Sequence, residues 1–281
     1  MKNRVITSVA ILAAMLTVVI FSKFIVYPLA LALLAIIATF EVLRVIGSHK
    51  IWTLSIPAYL ISAAFPLTAY FVDSNNSLEF LLILAAAVFV YLVWLMGVSV
   101  FSKGKIAFSK VSETLVGVTY VAVSFTSLSL IRYINHNFGV FLVVLVFVIS
   151  WTCDTAAFAV GSLIGKHKLI PEISPKKTVE GAIGGVVFSA LLCALYGLGL
   201  DLVIEKIQVN YLYLILFGII LSVVSQLGDL IASLIKREYD VKDYGRIFPG
   251  HGGVLDRFDS VLAVSTILLI LSIVFPPFVA G

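Results

Sequence analysis

Nine apolar runs, each long enough to cross a bilayer, follow one another along this 281-residue chain, and that repetition constrains its fold more than any motif does. They read as 4–22, 24–46, 51–72, 78–101, 110–133, 138–161, 178–200, 210–233 and 253–275. A spanning helix needs about 20 apolar residues, and in lipid a lone segment must satisfy its own backbone N–H and C=O groups, which a helix does. Composition agrees, with 61% of residues hydrophobic and 12% charged, a mean hydropathy of +1.15, and about 25% charged residues in ordinary soluble domains for comparison. A disordered chain or a nucleic-acid-binding domain needs a charge density that this chain lacks. The expected fold class is an all-α, polytopic integral membrane protein with about nine transmembrane helices. The run at 110–133, rich in Ser and Thr and carrying Glu113, is the weakest of them, and the first two, joined around Ser22-Lys23, could instead form a helical hairpin.

Lys and Arg assign the sides, because cytoplasmic loops hold the excess of positive charge. With the N-terminus inside, sixteen of the 19 basic residues fall on the cytoplasmic side, and only Lys23, Arg132 and Lys206 fall on the other. Losing one span would scramble that asymmetry. The start, Met1-Lys-Asn-Arg before an apolar run, resembles a signal peptide, but no small-residue cleavage site follows and a retained first helix is expected. Cys153 and Cys193 lie in apolar stretches and read as buried thiols rather than a disulfide. The organisation expected is an N-terminal transmembrane region, 1–135, with about five spans, and a C-terminal region, 136–281. The latter carries two long, charged loops with Gly and Pro, 162–177 and 234–252, and loops on a rigid scaffold are where chemistry is sought.

Asp154, Asp229, Asp256 and Asp259 lie within or beside the later spans, where an acidic side chain costs at least about 2.5 kcal/mol unless partnered. Each could form a structural ion pair, with Arg257 or Arg237 for instance; four together point to a shared polar site. Asp256 and Asp259 are three residues apart, hence on one face of a helix. Carboxylates held close repel unless a cation lies between them, and Mg²⁺ takes one or two carboxylates plus substrate phosphates. Asp229 is the candidate third ligand, and the lack of a Cys/His cluster argues against zinc.

The later loop places Lys236, Arg237, Lys242, Arg246 and His251 among Gly250, Gly252 and Gly253. Cations on a glycine-bearing loop before a helix N-terminus can hold a polyphosphate, although positive-inside topology and a flexible turn account for the same residues. His251 is a general acid/base, a phosphate donor or a polar loop residue. In the earlier loop, Gly161 to Lys166 departs from a P-loop: three residues separate the glycines, and His167 replaces the Ser/Thr. Gly161/Gly165 and Gly181/Gly185 instead have the spacing that lets membrane helices approach closely. Ser174, Lys176, Lys177 and Thr178 offer hydroxyls and ammonium groups to an anionic head group, or simply form a charged surface.

The stretch Ser233-Leu-Ile-Lys236-Arg237-Glu-Tyr-Asp-Val-Lys242-Asp243-Tyr-Gly245-Arg-Ile-Phe248-Pro249-Gly-His251-Gly252-Gly253-Val-Leu-Asp256-Arg257-Phe258-Asp259 resembles the signature of the phosphatidate cytidylyltransferases, or CDP-diacylglycerol synthases, with no departure over its 27 residues. The resemblance extends upstream through Asp154-Thr155, Gly165-Lys166, Ser174 to Thr178, Glu180-Gly181 and Ser225-Gln226-Leu-Gly228-Asp229, covering roughly residues 150–260. It implies that CTP and phosphatidate react to give CDP-diacylglycerol and pyrophosphate with Mg²⁺, and it leaves open a second, monovalent cation. Within that reading, Asp229, Asp256 and Asp259 hold metal. Lys236, Arg237, Lys242, Arg246, His251 and Arg257, with Gly252 and Gly253 allowing close approach, take the phosphates. Ser174, Lys176, Lys177 and Thr178 take nucleotide or phosphatidate. The active site would face the cytoplasm from the plasma, or inner, membrane. A membrane lipid is then a partner, nucleic acid is not, and glycine-bearing helix faces would allow a homodimer. The CDP-alcohol phosphotransferase pattern is missing. A carrier with intramembrane carboxylates is the non-enzyme alternative, which would not consume CTP.

Overall fold

The computed structural model describes residues 17–72, 76–134, 137–248, 250 and 252–280. Among them are eight helices long and apolar enough to cross a membrane. We label them α1 (Val26–Val45), α2 (Trp52–Thr68, continued by a 3-10 turn Ala69–Phe71), α3 (Ser77–Phe101), α4 (Phe108–Ile134), α5 (Gly139–Ile164), α6 (Val179–Val203), α7 (Tyr211–Glu238) and α8 (Leu255–Val274). They correspond one to one with the last eight expected spans, and the protein is an all-α, polytopic membrane protein. Most of the expected span 4–22 lies outside the described residues.

Two short two-stranded antiparallel sheets accompany the helices. One pairs β1 (Lys168–Ile170) with β2 (Ser174–Thr178), and the other pairs β3 (Ile207–Val209) with β4 (Phe278–Ala280). The expected loop 162–177 is thus largely the β1–β2 hairpin. The expected loop 234–252 starts later, because α7 continues to Glu238 and carries Lys236 and Arg237 in its last turn. Basic residues there complement the negative end of the helix dipole, which favours the extension.

The chain forms two compact units, Met1–His136 with Glu238–Arg257, and Asn137–Arg237 with Phe258–Gly281. In the first, the Ser/Thr-rich α4 is the most buried of the eight spanning helices rather than a marginal one. Its hydroxyls are satisfied inside the bundle: Thr114 donates to Ser48 Oγ at 2.9 Å, and Ser129 to the Pro66 carbonyl at 2.9 Å. Others bond back within the helix, as Thr126 does to the Ala122 carbonyl at 2.6 Å. Small hydroxylated residues suit a helix packed on all sides, since they permit close approach and hydrogen-bond across it.

In the second unit, α5 and α6 meet through glycine. A Cβ on Gly181 would lie 2.5 Å from the Ala157 carbonyl oxygen and 3.1 Å from the Gly161 Cα, and one on Gly184 would strike Val160. The close approach expected from the Gly161/Gly165 and Gly181/Gly185 spacings is realised. Cys153 and Cys193 are buried free thiols.

Candidate active site

Within the second unit, the β1–β2 hairpin is fastened to the start of α6. The Thr178 side chain caps α6 by accepting the Gly181 N–H at 3.1 Å, satisfying one of the amides a helix start leaves orphaned. Glu180, in the first turn, reaches back to accept the N–H groups of Lys166 at 3.1 Å and His167 at 3.2 Å, and its other oxygen lies 2.6 Å from His167 Nδ1. These bonds fix the path of Lys166 to Thr178 and aim β2 at α7.

Lys177 of β2 meets Asp229 of α7, Nζ to Oδ2, at 2.6 Å, and its ammonium group also reaches the Gln226 carbonyl at 3.5 Å. Ser233, one turn along α7, donates to Asp229 Oδ1 at 3.5 Å. Asp259 is brought beside this group because α7 and α8 cross at Gly228, where a Cβ would lie 2.7 Å from the Asp259 carbonyl oxygen. Asp229, Asp154 and Lys236 are its electrostatic neighbours. Ser260 joins the remaining carboxylates: its N–H donates to Asp259 Oδ1 at 2.8 Å and its hydroxyl to Asp154 Oδ2 at 3.1 Å.

A cavity of about 420 Å³ opens here, lined by Asp154, Asp229, Lys168, Lys176, Lys177 and Thr178 on its polar side and by Ala157, Phe158 and Leu169 on its apolar side. Three of the four residues expected from the Ser174 to Thr178 stretch line it. Asp154, which the sequence reading counts among the carboxylates of a shared polar site without giving it a ligand role, lines it too, as does Lys168, which that reading passes over.

The first unit contains the loop between α7 and α8. Asp256 is buried, and its Oδ2 accepts three backbone N–H groups, from Tyr244 at 2.8 Å, Gly253 at 2.9 Å and Gly245 at 3.4 Å. Phe248 N–H donates to the Gly252 carbonyl at 3.0 Å, and Gly252 has a φ of +85°, a left-handed conformation that favours glycine. Lys242, Arg246 and Arg257 are exposed. His251 lies outside the described residues. Glu41 of α1, which the sequence reading passes over, accepts the N–H groups of Val254 at 3.0 Å and Leu255 at 2.9 Å. The signal that singled out Asp154 and Asp229, a carboxylate in an apolar run, is present at Glu41 as well.

Among the described residues, no group of three or more His, Cys, Asp or Glu side chains forms a cage for a metal ion. Asp259 has Asp229 and Asp154 as electrostatic neighbours, all hard oxygen donors, and a cation, the Lys177 ammonium group, already rests on Asp229. This set fits Mg²⁺ as it is commonly held in phosphate sites, by one or two carboxylates with substrate phosphates and water completing the shell.

Fold and cleft define a multi-span membrane protein that brings lysines and carboxylates to a pocket partly walled by apolar side chains. The sequence pattern of the cytidylyltransferase family matches residues 2–275, and the chain belongs to that family; it is a nucleotidyltransferase. Its relatives include the phosphatidate cytidylyltransferase of Bacillus subtilis, 34% identical over 288 residues and 98% of each chain. Those of Staphylococcus epidermidis and Staphylococcus haemolyticus are 36% and 38% identical, over 97% and 86% of this chain and 99% and 87% of theirs.

Proposed function

We propose that the protein transfers the cytidylyl group of CTP to phosphatidate, releasing pyrophosphate and CDP-diacylglycerol for phospholipid synthesis. The observation that carries the reading is the Lys177–Asp229 pair at the wall of a cleft that is charged on one side and apolar on the other. Such a cleft suits a reaction between a soluble nucleotide and a lipid whose tails stay in the bilayer.

A phosphate oxygen of phosphatidate attacks the α-phosphorus of CTP; the new P–O bond forms as the bond to the β-phosphate bridging oxygen breaks, and pyrophosphate leaves with that electron pair. The attacking oxygen is already anionic at neutral pH, so positioning and charge neutralisation dominate over general-base help. Lys176 and Lys177 hold phosphate oxygens, with Ser174 and Thr178 ordering the strand that bears them. Lys236 and Arg237 add positive charge at the end of α7, Lys242, Arg246 and Arg257 add cations from the signature loop, and His251 is a candidate hydrogen-bond donor to phosphate. Asp229 and Asp259, with Asp154 beside them, would hold Mg²⁺, which supplies charge neutralisation to the phosphates when bound. Asp256 serves the loop, because its Oδ2 is occupied by three backbone amides.

The charge asymmetry supports a site facing the cytoplasm of the bacterial plasma membrane. The test is incorporation of label from [α-³²P]CTP into chloroform-soluble product by detergent-purified protein. Dependence on both phosphatidate and Mg²⁺ is expected; folded protein that makes no labelled lipid would overturn the reading. Orientation is checked separately with Ser162→Cys and Lys206→Cys in intact cells, where an impermeant maleimide should label only the second.

A further inference from the structure

Glu41 is a buried carboxylate, 1% exposed, near the end of α1. Its two oxygens accept the N–H groups of Val254 and Leu255, at the first turn of α8, where a helix leaves amides unpaired and favours negative charge. The same carboxylate fills the space that side chains at Gly245 and Gly253 would need. A Cβ on Gly253 would lie 2.5 Å from Glu41 Oε2, and one on Gly245 would overlap Oε1 and come 2.6 Å from the Gly253 Cα. Residues 245 and 253 therefore meet backbone to backbone, and the chain between them is a loop with a closed neck.

The neck is held from several sides. Arg44, almost one turn beyond Glu41 on α1, donates to the Tyr244 carbonyl. Asp256 takes the N–H groups of Tyr244, Gly245 and Gly253. The stem is fastened further out, where Lys110, paired with Glu113 at 3.0 Å, lies 5.9 Å from the centre of the Tyr239 ring. Among the described residues next to the closed neck, Arg246 and Ile247 are exposed, and Arg246 is the one that carries charge.

We infer that Glu41, aided by Arg44, is a positioning residue for cytidylyl transfer: it holds the neck of the 245–253 loop shut, so that Arg246 meets the triphosphate of the nucleotide at a fixed place. The inference rests on the proposed reaction, in which the cations of this loop take CTP phosphates. A carboxylate suits position 41 because two buried amides are accepted at once, one by each of its oxygens. An apolar residue would leave both unpaired, and an amide side chain has one acceptor oxygen for two donors.

The test is a double-mutant cycle on the full-length protein in detergent, with Glu41→Gln and Arg246→Ala. Wild-type turnover of CTP and phosphatidate is measured first, so that failure of the proposed reaction shows there and not in the cycle. Glu41→Gln is expected to raise the KM for CTP by about tenfold or more and to leave the KM for phosphatidate within about twofold, because it displaces the loop and not the lipid side. In the Arg246→Ala background it should add less than about twofold, since both changes remove the same contact. A residue that serves only the fold would lower the amount of active protein and leave both KM values alone. If Glu41→Gln does not fold, Glu41→Asp is carried through the same cycle. Losses that multiply, an unchanged KM for CTP, or failure of both variants to fold would each overturn the inference.

Discussion

Gly228→Ala probes the step from helix packing to catalysis. The added Cβ would lie 2.7 Å from the Asp259 carbonyl oxygen and 2.7 Å from the Ala263 Cβ, against 3.4 Å for the start of ordinary contact. The Asp259 contact is with backbone, which cannot turn aside as a flexible side chain would, so α7 and α8 must part locally by about 0.7 Å. Asp229 is the next residue on α7, and Asp259 stands at the point of contact on α8, so the parting acts directly on the spacing of two carboxylates proposed to share a metal. Overpacking of this kind destabilises by about 1–3 kcal/mol. A misplacement near 1 Å can slow catalysis by about 100-fold, and the smaller displacement here should lower kcat by about 10- to 100-fold. The assay is turnover of labelled CTP beside a thermal melt of the detergent-solubilised protein, with Gly199→Ala as the control. That position has nothing within 4 Å of an added Cβ, and its variant should keep wild-type kcat. A folded Gly228→Ala enzyme with wild-type kcat would refute the claim that this crossing sets the carboxylate geometry.

Asp229→Asn and Asp256→Asn should separate metal binding from loop support. The first should raise the Mg²⁺ concentration needed for half-maximal turnover by about tenfold, as loss of one charged ligand does. The second should leave that concentration unchanged while lowering stability by about 1–3 kcal/mol, since three amides lose a charged acceptor; a shifted Mg²⁺ titration in Asp256→Asn would return that residue to the metal. Lys177→Met keeps much of the length and removes the charge; CTP turnover should fall at least about tenfold, and an unaltered rate would show that the Lys177–Asp229 pair is structural. Glu180→Ala frees the amides of Lys166 and His167, so hydrogen exchange at these two residues should accelerate while exchange in α1 to α4 stays as it was; unchanged protection would mean that the hairpin holds its own shape.

The spans were legible because a helix in lipid satisfies its own backbone. Hydropathy read locally is enough to find Val26–Val45 or Leu255–Val274 with no knowledge of neighbours. Glycine spacing told that α5 and α6 approach closely, and the carboxylates at 229 and 259 announced themselves as charges out of place. The weak standing of the run at 110–133 had a physical origin: Ser and Thr lower hydropathy, while within a packed bundle their hydroxyls find partners and small size becomes an advantage. The loop boundary at 234 was drawn from hydropathy alone, and the polar turn Lys236-Arg237-Glu238 continues a helix that hydropathy does not see.

By itself, then, the sequence determined that the chain is a multi-span membrane protein, where its helices fall and which segments carry the charged chemistry, since these follow from local polarity and from motif spacing. Only the tertiary structure decided the partners: that Lys177 rests on Asp229 at 2.6 Å, that Asp154 joins through Ser260, and that Glu41 closes a neck formed more than 200 residues away. Such contacts depend on how helices distant in the chain cross, and local polarity carries no record of that.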